Sequence, residues 1–241
     1  MPQQPRTEGA DTARRALRIL EVVGRATSPL SLDEIMRGTG LGKSMTYRLV
    51  RALQEESYVD RADGGGYVGG SQLFALASAS LPNFDSYTAY LPLLREIAER
   101  AGETCTLHRR VRDRTVLLLG AETVHPLRWV FPVGELTPLT RGGAGIAILS
   151  AMSDAEVDDA VVALSEPAAE QVRSEVARAR DRGFATSLGA NHPGLHGVAA
   201  PVPGQPMAIS VSGPAERWTE NNMIDFAPQL LSLIEQFHRP A

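Results

Sequence analysis

The segment that most restricts how this chain can fold is Lys43–Glu56, read with its flanks. At 100° per residue, Met45, Leu49, Ala52 and Leu53 gather on one face. Lys43, Ser44, Thr46, Tyr47 and Arg51 gather on the other, with Arg48 at its flank. Val50 falls nominally on the polar side and is expected to pack beneath a hairpin further along the chain. Upstream, Ala13, Ala16, Leu17, Leu20 and Val23 recur at helical spacing from Thr12, and Gly24 marks an end. Ser31-Leu32-Asp33-Glu34 then has the capping-box pattern, in which serine and glutamate satisfy each other's backbone amides. Thr39-Gly40-Leu41-Gly42 supplies a tight turn. Downstream, Ser57–Arg61 and Tyr67-Val68 flank three glycines, Gly64 to Gly66, as the arms of that hairpin. Three helices and then a hairpin predict a winged helix-turn-helix, its third helix suited to a major groove. A small bundle making protein contacts has the same pattern.

On the polar face, Lys43 and Arg48 are suited to holding phosphates, and Ser44, Thr46 and Tyr47 to touching base edges. Arg51 shares that face, and Arg61 beside the wing could reach the adjoining backbone. Charge agrees weakly. Up to Ser80 there are 10 Lys and Arg against 9 Asp and Glu, and beyond it 14 against 19, so a polyanion partner belongs to the first third.

Gln72–Ala79 reads as a short apolar helix broken near Leu81-Pro82-Asn83, either an interdomain connector or a surface helix on the wing. A helix over Tyr87–Ala101 comes next. Strands are expected at Thr104–Arg109, Thr115–Gly120, Leu127–Phe131, Phe184–Thr186, Gly197–Pro201 and Met207–Ser212. Helices are expected at Gly143–Ala151, Asp154–Leu164 and Glu170–Arg182. A last helix after Thr219 carries Ile224, Ala227, Leu230, Leu231 and Ile234 on one face, with a kink at Pro228. This order argues an α+β sheet with helices on its faces.

No nucleophile elbow, phosphate loop, dinucleotide fingerprint or Cys-x-x-Cys occurs. Cys105 reads as core, with His108 on the opposite strand face, so they form no dyad. His192 and His196 have a ligand-like spacing but sit in a Pro/Gly loop, a poor frame for zinc. His125 and His238 read as surface residues. Catalytic residues, metal and cofactor are therefore not expected. No apolar run approaches the roughly 20 residues a membrane span needs. The first ten residues read as a frayed tail, not a signal peptide. A single cysteine fits a reducing cytoplasm.

Ala16-Leu17-Arg18-Ile19-Leu20, Leu30–Ile35 and Thr39–Leu49, with its Lys43-Ser44-x-x-Tyr47-Arg48-Leu49 core, closely resemble the IclR family of bacterial regulators. So do Val133-Gly134, Pro138-Leu139, Gly143–Gly145, Gly194, Ala199–Val202 and Ile209–Pro214, so the resemblance covers about residues 12 to 237. It implies a GAF-like sheet in the second domain and a pocket for a small effector, often a carboxylate. Gly143 and Ala144 would offer helix-start amides to an anion. Ser210 and Ser212 would donate hydroxyls, unless they are merely the solvated face of an edge strand. The loop Ser187–Gly197, with Asn191, would close over the top. The chain departs from the family pattern at Gly42, where proline is usual, and at Ile146, where lysine is common. It departs again at Ser187–Asn191, which lacks the usual acids, and at Arg141, where a small residue is usual. Arg141 would hold a carboxylate bidentately if it faces the pocket, or else point to solvent.

The expected organisation is a tail (1–11), a winged helix-turn-helix (12–70), a linker helix (71–82) and an effector-binding and oligomerisation domain (83–238). The expected function is an effector-gated transcriptional regulator. It would bind double-stranded DNA at a palindromic operator, as a homodimer or dimer of dimers, and answer to a small organic acid. The rival is a small-molecule enzyme with a helical docking domain.

Overall fold

The computed structural model describes residues 8–80 and 85–239. The chain divides into two compact units, Met1–Phe84 and Asp85–Ala241. Most of the expected tail, and the expected break at Leu81–Asn83, lie outside the described residues.

In the first unit α1 runs Glu8–Gly24, α2 Leu32–Thr39 and α3 Lys43–Glu55. The capping box at α2 is formed: the Glu34 amide donates to Ser31 Oγ at 3.3 Å, and the Ser31 amide to Glu34 Oε2 at 2.8 Å. Gly40 ends α2 at φ 69°, a left-handed turn that glycine adopts without steric cost. The hairpin β1 (Val59–Arg61) and β2 (Tyr67–Gly69) pairs antiparallel. It is tied to the start of α2 by two backbone bonds between Leu30 and Tyr67, 2.9 and 2.7 Å long. Ile19, Val23, Ile35, Leu49, Val50, Leu53, Val59 and Tyr67 form the core. Two sequence expectations shift here. The buried stripe of α1 runs through Ile19, leaving Leu17 59% exposed, and Ala52 is exposed while Val50 packs under the hairpin. The helix α4 (Ser71–Ser80) buries none of its residues within the unit.

The second unit is a six-stranded antiparallel sheet in the order β5-β4-β3-β8-β7-β6. Its strands are β3 (Thr104–Val111), β4 (Arg114–Ala121), β5 (Leu136–Pro138), β6 (Ala185–Leu188), β7 (Leu195–Pro201) and β8 (Met207–Pro214). One face packs α6 (Leu91–Ala101) and α10 (Glu220–His238) onto Cys105, Leu107, Val198, Ala200, Ile209 and Val211. The other packs α7 (Gly142–Ser150) and α9 (Glu166–Arg182) onto Ala185, Ala199 and Ala208, with α8 (Asp154–Val161) against α9. The small alanines let α7 approach the sheet closely.

Several boundaries differ from the sequence reading. Leu127–Phe131 forms no strand; the sheet edge is Leu136–Pro138 instead. The helix expected over Tyr87–Ala101 is split into α5 (Asp85–Thr88) and α6, because Pro92 lacks an N–H and fits only the first turn of a helix. Ser165 and Pro167 start α9 four residues earlier than expected. The buried face of α10 includes Met223 and Phe226, whereas Ile224 is exposed. His238 is half-buried, accepting or donating at Tyr90 Oη, 3.0 Å away. Glu103, almost wholly buried, is held by both ends of the Arg217 guanidinium, which also donates to the Leu127 carbonyl at 3.0 Å.

Candidate functional site

On α3, Lys43, Ser44, Tyr47, Arg48 and Arg51 are exposed, as the helical period requires. Tyr47 keeps 52% of its surface in solvent, an unusual exposure for an aromatic residue unless it meets a partner. Arg51 pairs with Glu55 at 3.2 Å, one turn on. Arg48 makes only a 3.6 Å contact to Met45 Sδ, and among the described residues no carboxylate pairs with it or with Lys43. Arg61, at the end of β1, lies over the Tyr67 ring at 5.4 Å and stays exposed. Thr46 is a correction. It is 0% exposed, and its hydroxyl donates to the Gly42 carbonyl at 3.1 Å, so it closes the helix start and reaches no base. A 100° wheel places it near the polar face, yet the side chain is wholly buried within the unit.

The second site lies where α7 meets the sheet. Residues alternate along a strand, so Thr106 and His108 of β3 share a face with Ser210 and Ser212 of β8. Register confirms it, with Thr106 opposite Ser210 and Thr104 opposite Ser212. β8 is central in the sheet, and Ser210 and Ser212 are 5% and 7% exposed, which excludes a solvated edge. Their hydroxyls are 3.4 Å apart. Gly197 faces them from β7, where a Cβ would lie 2.8 Å from Ser212 Oγ.

His108, Gly197, Ser210 and Ser212 line a cavity of about 50 Å³, together with Gly143 and Ala144 of α7 and Asn191 and His192 of the loop after β6. No side chain caps α7, so its first amides are left to the cavity. Gly142 makes this possible: its φ is 79°, and a Cβ there would strike the Asn191 amide. Trp129, Glu135 and Thr137 complete the wall, with His192 Nε2 3.3 Å from Glu135 Oε1 and its ring 5.9 Å from that of Trp129. Five of the six expected effector residues (Gly143, Ala144, Asn191, Ser210 and Ser212) thus meet in one place.

Comparison with known proteins decides the family. Residues 78–239 match the bacterial transcriptional regulator IclR C-terminal model, and residues 12–63 match the IclR helix-turn-helix domain. The chain belongs to the IclR family. It is 25% identical to the transcriptional repressor IclR of Escherichia coli, over 96% of this chain and 90% of that one. The crystal structure of an IclR family transcriptional regulator from Brucella abortus matches with a TM-score of 0.81 at 22% identity, over 94% of this chain and 91% of that one. An IclR homolog from Microbacterium hydrocarbonoxydans, complexed with 4-hydroxybenzoate, matches with a TM-score of 0.69 at 18% identity, over 94% and 98%. This IclR-family chain is a DNA-binding transcriptional regulator and not an enzyme. No described helix is long and apolar enough to cross a membrane.

Arg141 of this IclR-family protein is the second correction. It is exposed and lines neither this cavity nor the neighbouring cleft beside α9. The backbone is extended at Arg141 and left-handed at Gly142, which leaves the guanidinium in solvent. The cavity therefore has no lysine or arginine in its wall. Sequence reasoning missed His108, Trp129 and Glu135 as wall residues, and took in His192 only as part of the closing loop Ser187–Gly197. The placement of His108 opposite to Cys105 was the available signal, because Cys105 faces the apolar side. Cys105 itself is fully buried, and burial pushes its thiol up, which suits packing and not nucleophilic chemistry. His196 Nδ1 lies 3.1 Å from the Trp218 carbonyl, and no metal-ligating cluster occurs among the described residues.

Proposed function

We propose that this IclR-family regulator is gated by a small organic carboxylate bound in the cavity beneath α7, and that it grips a palindromic operator as a homodimer or dimer of dimers. Residues 12–70 hold DNA, 71–82 link, and 83–238 bind effector and oligomerise, in the cytoplasm. The observation that carries the effector reading is the uncapped start of α7, whose Gly143 and Ala144 open onto a small cavity that also presents Ser210, Ser212 and Asn191. Free amides and the helix dipole favour an anion there, and the Ser210 and Ser212 hydroxyls can donate to it. Asn191 covers it. The Microbacterium homolog, a fold neighbour, is complexed with a hydroxylated carboxylate.

On DNA, Lys43 and Arg48 hold phosphates with support from Arg51 and Arg61, and Ser44 and Tyr47 touch base edges. An effector that binds two states of the protein unequally shifts its affinity for DNA by that difference. Recovering genomic fragments on the purified protein names the operator. Titrating that operator with and without a panel of carboxylic acids then tests gating. A shift in operator affinity of about tenfold or more is the expected result. A panel in which no acid changes DNA affinity or melting temperature would overturn the carboxylate reading.

A further inference from the structure

Thr106 and His108 stand two residues apart on the same face of β3, and satisfying their hydrogen bonds together points to one imidazole tautomer. Thr106 Oγ1 is 3.4 Å from the Ser210 carbonyl and 2.9 Å from His108 Nε2. A carbonyl oxygen only accepts, so the one arrangement that satisfies both contacts at once puts the hydroxyl proton on that carbonyl. Oγ1 is then an acceptor toward the ring, and Nε2 carries the proton. In a neutral imidazole the other nitrogen, Nδ1, is a bare acceptor. No described residue donates a hydrogen bond to it, and no buried side-chain nitrogen or oxygen of the described residues lacks a partner, so Nδ1 is open to the cavity.

Burial holds the ring neutral, lowering its pKa to about 4. The other ionisable groups in the cavity wall are Glu135, His192 and His196. Glu135 and His192 face each other at 3.3 Å, and His196 is turned to the Trp218 carbonyl. A carboxylate oxygen placed against His108 would therefore meet a lone pair, with no cation to relieve the repulsion. A hydroxyl placed there would meet an acceptor.

We propose that His108 reads a hydroxyl donor on the effector, which makes the ligand a hydroxy acid with its carboxylate on the α7 amides and its hydroxyl on His108 Nδ1. This rests on the carboxylate reading above and sharpens it. A site built around a hydrogen bond rejects an analogue lacking the donor, because its buried acceptor is then left unpaired.

Full-length protein is titrated by calorimetry with matched pairs: glycolate and acetate, lactate and propionate, 4-hydroxybenzoate and benzoate, with 4-methoxybenzoate as the capped control. At least one hydroxy acid is expected to bind about tenfold or more tightly than its deoxy partner, and the methyl ether to bind as weakly as the deoxy acid. His108→Phe should reduce that ratio below about twofold, while His108→Gln, which keeps an acceptor oxygen, should preserve it. Nitrogen NMR of the unmodified protein at neutral pH needs no variant and should show His108 as the neutral Nε2–H tautomer. A set in which every deoxy acid binds as well as its hydroxy partner, or an Nδ1–H or doubly protonated His108, overturns the inference while the carboxylate reading stands. Failure of every acid in the set to bind overturns that reading, and this inference with it.

Discussion

Thr46 is fully buried and gives its hydroxyl to the Gly42 carbonyl, so its contribution belongs to the start of α3 and not to a base pair. Thr46→Val should lower stability by about 1 kcal/mol in denaturant melts and leave operator preference unchanged. Arg48→Ala should act the other way. It should weaken binding to all sequences alike and reduce the slope of log affinity against log salt by about 1, measured by fluorescence anisotropy on a labelled duplex. A change in sequence preference for Thr46→Val would return that residue to the base-reading set. In the cavity, Ser210→Ala should cost about tenfold in affinity for the effector acid, whereas Arg141→Ala should change it by less than about twofold, since Arg141 faces solvent. Calorimetry on the two variants decides which group the ligand meets.

Among the elements, α2 is the shortest helix of the reading head and depends most on its cap. Ser31→Ala removes the side-chain acceptor for the Glu34 amide and should cost about 1 kcal/mol of stability by thermal or denaturant melting. The same cap has a pH signature. Hydrogen bonds from the Ser31 amide and hydroxyl hold the Glu34 carboxyl below the ordinary carboxylate range. A lowered folded-state pKa means the contribution is fully present above the unfolded value, and it is lost as pH falls through the lowered one. The stability gap between wild type and Ser31→Ala should therefore be constant at neutral pH and narrow on strong acidification. A gap that widened toward acid would contradict the cap. Element boundaries inside the second unit answer to equally local causes. Pro92 sets the start of α6, and Ser165 with Pro167 sets the start of α9.

At the scale of the whole molecule, charge and assembly decide what the fold can do. The first eighty residues are close to neutral and the rest is acidic, so affinity for DNA rests on a few placed cations, and the proposed symmetric mode adds a second copy of α3. Two chains, or a multiple of two, are expected on each operator, with half-sites about one helical turn apart or a multiple of it. Analytical ultracentrifugation of the complex and footprinting of the operator check this. A single chain on an asymmetric site would refute the symmetric mode.

What the sequence determined by itself was local or periodic. The capping box, the glycine turn and the hairpin arms are set by neighbours within a few residues, and Lys43, Ser44, Tyr47, Arg48 and Arg51 came from a helical period that packing did not disturb. Alternation along a strand likewise put Ser210 beside Ser212 and His108 opposite to Cys105. The tertiary structure decided what depends on which distant segment packs on which face. Burial of Thr46 comes from packing around the first turn of α3, and the outward turn of Arg141 from backbone angles at the α7 start. His108 joins Ser210 only because β3 pairs with β8, a register between segments about a hundred residues apart. No short-range preference encodes such a register; it is settled when both faces of the sheet bury their apolar rows at once.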